Sequence, residues 1–142
     1  MYKMKYFTES ELRIEDCTSD LKKNMYTLVE MCLDPIRSAC GRTKIFSGYR
    51  SKSYNKSVGG ALTSQHVEAK ACDIKTLDTD LRKAFLWIIE NIYFDQLIYE
   101  KSDTGFEWIH ISYNEGKNRN QVLIANKINK KWVYKTFEGE VF

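Results

Sequence analysis

An α+β fold, with N-terminal helices packed on a mostly antiparallel sheet, is the architecture this sequence predicts. Two observations carry that expectation. Apolar residues step by three or four from Leu21 to Ala39, the spacing of one buried helix face. From Phe94 onward they form short alternating or continuous runs separated by turn residues, which is strand chemistry. At 142 residues the chain is expected to form one domain, residues 1–142, around a single core.

Residues 1–17 show no clean period, apart from a short turn expected at Glu9–Leu12. A helix then starts at Thr18, with Leu21, Met25, Leu28, Val29, Cys32, Ile36 and Ala39 on one face. Ser19 or Asp20 is placed to cap it and Gly41 to end it. Pro35 removes a backbone donor, so a kink or break is expected near Asp34. Thr43–Tyr49 reads as a strand, and the polar residues 51–65, with Gly59-Gly60, as a long loop that could hold a helical turn. Loops of that length in compact domains are often functional. Strand character resumes over Ala69–Thr76. Asp78 or Thr79 then caps a second helix carrying Leu81, Ala84, Phe85, Ile88, Ile89 and Ile92 on one face. Phe94–Glu100, Phe106–Tyr113, Gln121–Ala125 and Lys131–Phe137 complete the expected strands.

Composition narrows the function. A chain 43% hydrophobic and 29% charged is that of an ordinary folded protein. Its net charge of +3 suits a mildly anionic partner such as a cell-wall polymer and gives no reason to expect nucleic acid. The four cysteines, at 17, 32, 40 and 72, contain no C-x-x-C pair, so neither a disulfide framework nor a zinc finger is expected. Free thiols imply synthesis in a reducing compartment. The charged N-terminus lacks the apolar run of a signal peptide, and no stretch is long enough to span a bilayer. No membrane insertion is expected, and the protein is expected to act as a monomer.

The chain has only two histidines, His66 and His110, and both stand near carboxylates. A catalytic zinc takes three protein ligands and keeps one position open, so the third ligand must be a carboxylate or thiolate. Glu68, Cys72 and Asp73 are the local candidates. Adjacent strand residues face opposite ways; with Cys72 turned into the core beside the small Ala71, Asp73 points outward and joins His66 and His110. Glu107 lies three residues before His110, a spacing that puts the two side chains on opposite faces of a regular strand. It reaches the site only at a bulge or strand end, and a solvated glutamate is equally open. Asp95, Gln96 and Glu100 are candidates to support a ligand histidine from behind. Trp108 and Tyr113 are placed either to line a groove or to pack on the sheet. His66-Val67-Glu68 lacks the P-C-x-x-C partner of a nucleobase deaminase, and no cysteine sits in the exposed, Gly-rich turn expected of a Cys–His nucleophile.

Taken together, Ser47-Gly48-Tyr49-Arg50-Ser51, Asn55, Val58-Gly59-Gly60-Ala61, Ser64-Gln65-His66, Ala71-Cys72-Asp73-Ile74 and Glu107-Trp108-Ile109-His110 resemble the zinc D-Ala-D-Ala peptidases. That family shares a structural group with lysostaphin-type and hedgehog-type domains. The family pattern is SGYRS, then S-x-H-x-x-G-x-A-x-D, then E-x-x-H. The resemblance implies one zinc ion held by His66, Asp73 and His110, with Glu107 as general base. It also implies that Arg50 polarises the scissile carbonyl or holds a substrate carboxylate, and that Ser64 lines the site. The implied substrates are peptidoglycan stem peptides, cut at the terminal D-Ala (carboxypeptidase) or between L-Ala and an acidic residue (endopeptidase). A phage-lysin-like member, made in the host cytoplasm and released to the wall by another protein, fits the missing signal peptide. Ala69 departs from the pattern, standing where the family has glycine. The rival reading, suggested by hedgehog-type relatives, is a zinc-containing wall-binding module without catalysis.

Overall fold

The computed structural model describes residues 2–142 and has the expected α+β architecture. Helix α1 (Glu9–Leu12) is a single turn closed by a Thr8–Glu11 capping box. Helix α2 (Ser19–Leu28) is capped by Thr18, whose hydroxyl accepts the Leu21 N–H at 3.3 Å, rather than by Ser19 or Asp20. Of the kink or break expected near Asp34, the break does not occur. The ladder widens instead into a π-helical turn over Val29–Leu33, in which the Asp34 N–H reaches back to the Val29 carbonyl. Helix α3 (Asp34–Cys40) continues from it without interruption. A proline that lacks a donor and crowds the carbonyl four residues back is accommodated by such a wide turn. Gly41, at φ +86°, ends the helix.

Strand β1 (Thr43–Ser47) leads to helix α4 (Lys52–Ser57), a short helix inside the long polar loop, capped by Ser51. Strand β2 (Ala71–Thr76) and helix α5 (Leu81–Asn91) follow. Asp80 caps α5, while Asp78 is occupied by Arg42 at 2.7 Å. Then come β3 (Gln96–Lys101), β4 (Glu107–Ser112), β5 (Gln121–Ile128) and β6 (Lys131–Thr136). The six strands lie in the order β1-β2-β4-β3-β5-β6, antiparallel throughout except for the parallel pair β3–β5. That exception needs no long crossover. β4 and β5 flank β3 and run opposite ways, so the connecting loop only passes the end of β3. Asp95 pins it there, its carboxylate taking the Arg119 backbone and guanidinium N–H groups at 2.8–2.9 Å.

The sheet has two unlike faces. Cys72, Ile74, Leu97, Tyr99, Ile109 and Ile111 point to the helices, where Met25, Leu28, Leu33, Ile36, Phe85 and Ile88 cover them. Burying those side chains, at about 1.5–3 kcal/mol each, is what fixes the register. The registered neighbours Asp73, His110 and Ile98 point the other way, and that face carries the site. All four cysteines are free, and Cys32, Cys40 and Cys72 are buried. No helix among the described residues is long and apolar enough to cross a membrane.

Candidate metal centre and active site

Asp73 on β2 and His110 on β4 are directly paired across the sheet, so they share a face without any long-range adjustment. The Asp73 Oδ1 lies 3.1 Å from His110 Nδ1 and 3.4 Å from His66 Nε2. One donor atom from each of the three side chains falls within 4.8 Å of the others, and all three residues are less than a tenth exposed. Cys72 lies at the sulfur–sulfur distance of 3.7 Å from Met25 on the opposite face, as the strand alternation requires.

His66 arrives from the loop between α4 and β2. Its backbone N–H is accepted by the Ser64 hydroxyl at 3.2 Å and its carbonyl accepts the Arg50 N–H at 3.0 Å. Its Nδ1 lies 2.8 Å from the Gly48 carbonyl. A carbonyl only accepts, so Nδ1 carries the proton. That leaves Nε2, 3.4 Å from the Asp73 Oδ1, as the ring nitrogen that can give its lone pair to a metal. The donor set of two imidazoles and a carboxylate is one that zinc takes. The residues present thus fit a metal ion.

Burial pushes the Asp73 carboxyl up, but His66 and His110 outweigh it and hold it well below the usual carboxylate range. Burial lowers His110, against the pull of Asp73, which favours the unprotonated ring that a metal requires.

Arg50 stands behind Asp73. Its guanidinium donates to Asp73 Oδ2 at 3.2 Å, Ser47 Oγ at 2.9 Å and Asn55 Oδ1 at 3.3 Å, and the residue lines the cavity above the ligands. Asn55 can hold it because Gly60 has no side chain: a Cβ there would lie 2.0 Å from Asn55 Oδ1. Asn55 also donates to the Ala61 carbonyl at 2.8 Å, which explains the Asn55 and Gly-Gly positions of the motif. Ser64 lines the same cavity. Ala69 is fully buried at φ +56°, the left-handed conformation that glycine adopts freely, so alanine carries a strain of about 1 kcal/mol there. The chain nevertheless brings His66 and Asp73 together on either side of it.

Glu107 requires a correction. The β3–β4 register runs without a bulge from Leu97↔Ile111 to Lys101↔Glu107, so Glu107 faces the helices, opposite to His110. There its carboxylate accepts the Tyr99 hydroxyl at 2.6 Å and an Arg82 N–H at 3.3 Å. No bulge is present, and although Glu107 is the first residue of β4 it keeps its pairing with Lys101, so its place at the strand end does not turn it to the metal. Of the groups expected to support a ligand histidine, Asp95 acts at one remove, accepting from Gln65 at 2.7 Å beside His66. Burial raises its carboxyl, but Arg119 and Gln65 more than reverse this, leaving it lowered. Trp108 lines the cavity, whereas Tyr113 packs against the core.

The cavity, about 720 Å³, is open and mostly polar in its lining. Glu100 is part of its wall, and Glu107 is not. Burial, and then the charge of Asp73, push the Glu100 carboxyl from 4.5 up to about 8, against the opposing pull of Trp108 and Arg50. A carboxyl raised on folding stabilises the native state fully below its unfolded value and loses that contribution as pH climbs through the folded one. The metal-free protein is therefore expected to lose stability between pH 4.5 and 8 through this group. Glu100→Gln should flatten that slope by up to about 5 kcal/mol, read by denaturant unfolding at a series of pH values. Parallel slopes for the two proteins would show that Glu100 is solvated.

Two comparisons with known proteins bear on this site. No curated protein matches the chain. A family model, Peptidase M15, matches residues 5–112, a span that runs from α1 to the end of β4 and contains all three candidate ligands, Arg50 and Ser64. With that match covering well over half of its length, the chain belongs to the peptidase M15 family.

Proposed function

We propose that this peptidase is a zinc enzyme that hydrolyses peptide bonds in peptidoglycan stem peptides, as a D-Ala-D-Ala carboxypeptidase or an L-Ala-D-Glu endopeptidase. The observation that carries the reading is the convergence of His66 Nε2, Asp73 Oδ1 and a His110 ring nitrogen on one point of an open, polar cavity. Zinc, when bound there, supplies the Lewis acid that activates water and polarises the scissile carbonyl. The chain does the rest. Gly48 fixes the His66 tautomer through its carbonyl, and Arg50 holds Asp73 in place while part of its N–H fork stays available to a substrate carbonyl or carboxylate. The exposed loop residues Gly59, Ala61 and Thr63 form the rim over which an extended peptide would enter.

Action at the wall after release by another protein completes the proposal. The mildly basic chain and the polar cavity support a polymer bearing anionic stem peptides. The test is mass spectrometry of purified muropeptides after incubation with the protein, with and without a chelator, followed by zinc add-back. Loss of a terminal D-Ala, or cleavage after L-Ala, is expected only in the zinc-replete samples. A protein that binds one zinc and retains muropeptides uncut would instead be a wall-binding module.

A further inference from the structure

We infer that Glu100, on β3, is the general base of this site, taking the proton of the attacking water and returning it to the departing amine. The inference rests on the peptidase reading above and assigns the one role in it that Glu107 cannot fill.

Sheet register places Glu100. It is paired with Trp108 across β3–β4 and lies two residues from Ile98, the partner of His110. Side chains two apart on a strand share a face, so Glu100, Trp108, His110 and Asp73 all point into the same cavity. On its other side Glu100 is paired with Ala125 of β5, whose small side chain leaves space above it. Trp132 of β6 fills part of that space, its ring centroid 5.7 Å from that of Trp108. Tyr134, paired with Ala125, lines the same cavity. The walls Ala125, Trp132 and Tyr134 lie beyond the residues matched by the family model.

Elimination points to the same group. Four carboxylates line the cavity: Glu68, Asp73, Asp95 and Glu100. Glu68 is paired with Lys70 at 3.2 Å, Asp73 with Arg50 at 3.2 Å, and Asp95 with Arg119 at 2.9 Å. Among the described residues Glu100 alone of the four has no ion-pair partner. A base must face the reacting atoms and be free of a fixed ion pair; only Glu100 offers both, and a cation held by Asp73 would offset the charge that raises its carboxyl in the metal-free protein. The step balances with water as the sole co-reactant. One O–H bond of water breaks and its proton passes to the Glu100 carboxylate as the oxygen adds to the scissile carbonyl carbon. The C–N bond then breaks and the proton passes from Glu100 to the amine nitrogen.

Glu100→Gln, Glu100→Asp and Glu107→Gln, each compared with the unmodified protein, test this. Zinc content is measured by elemental analysis and chelator competition, folding by melting temperature, and turnover on the muropeptide that the unmodified protein cleaves. Glu100→Gln is expected to keep one zinc per chain and its fold, with kcat lowered at least about 100-fold and KM little changed. Glu100→Asp, which keeps the charge and withdraws it by one methylene, should fall between the two. Glu107→Gln is expected to lower the melting temperature, by losing charged bonds to Tyr99 and Arg82, and to keep kcat within about threefold. Zinc-loaded Glu100→Gln turning over within tenfold of the unmodified protein would overturn the assignment and leave the peptidase reading standing. Absence of cleavage by the unmodified, zinc-loaded protein would overturn both.

Discussion

Asp73→Ala is expected to empty the metal centre and weaken the metal-free fold in the same substitution. The carboxylate has two jobs, divided between its oxygens. Oδ1 faces both imidazoles, at 3.1 and 3.4 Å, and Oδ2 accepts from the Arg50 guanidinium at 3.2 Å. Removing it takes away one of three candidate ligands and the only anionic one. It also leaves Arg50, whose side chain is 17% exposed, with neutral partners alone in Ser47 and Asn55. Breaking one side of a buried ion pair costs about 3–5 kcal/mol, and because Arg50 keeps those two hydrogen bonds the lower end of that range is expected. Zinc retention in elemental analysis should fall to background, and peptide hydrolysis with it. Asp73→Asn separates the two jobs: the amide oxygen can still accept from Arg50, so stability should recover in part while zinc affinity does not. An alanine variant that still carries one zinc per chain would show that the metal sits elsewhere.

The division of labour between Asp73 and Cys72 was legible in the sequence because it depends only on strand alternation and the small residues beside them. The paired histidines were legible for the same reason that they are scarce: with two in the chain, any imidazole site has to use them. Helix boundaries were less so. Thr18 and Asp80 cap their helices where neighbouring serine, aspartate or threonine residues satisfy the same preference, and only the tertiary entry angle chooses among them. Pro35 illustrates a different limit. Its missing donor was visible, but whether the ladder breaks or widens depends on packing, and the buried Val29, Cys32 and Leu33 hold the helix together through the wide turn. The Glu107 assignment came from motif resemblance, while its spacing from His110 argued against it; the unbroken β3–β4 register settles the point in favour of the spacing. Glu100 was visible in the sequence as a candidate to support a ligand histidine, not as a base. Finding its face needs the pairing of β3 with β4 and of β3 with the parallel β5, and neither register is written in the local sequence. The Gly48 carbonyl, the group that orients His66, has no side-chain signature at all.

Gly48→Ala is for that reason the most informative substitution away from the ligands. A Cβ at this position would lie 2.3 Å from the Leu12 carbonyl oxygen and 2.8 Å from its carbon. Both are backbone atoms, so no rotamer change can make room. That carbonyl already accepts the Tyr49 N–H at 3.0 Å, which ties the end of β1 to the first helical turn, and Leu12 itself is fully buried. The methyl group must push the two segments apart. Overpacking of this kind costs about 1–3 kcal/mol where side chains can yield, so a rigid backbone contact should reach at least the upper end. The displacement carries the Gly48 carbonyl away from His66 Nδ1, now 2.8 Å distant, and frees the ring to change tautomer or rotate. Losing such a support to a metal-binding histidine lowers affinity about 10- to 100-fold. Denaturant unfolding of the metal-free protein and chelator competition for zinc measure the two effects separately. Lost stability with undiminished zinc affinity would mean that the loop from Ser64 to Ala69 orients His66 without help from β1. Loss of both would establish that the close approach of Gly48 to Leu12 is there to aim one imidazole.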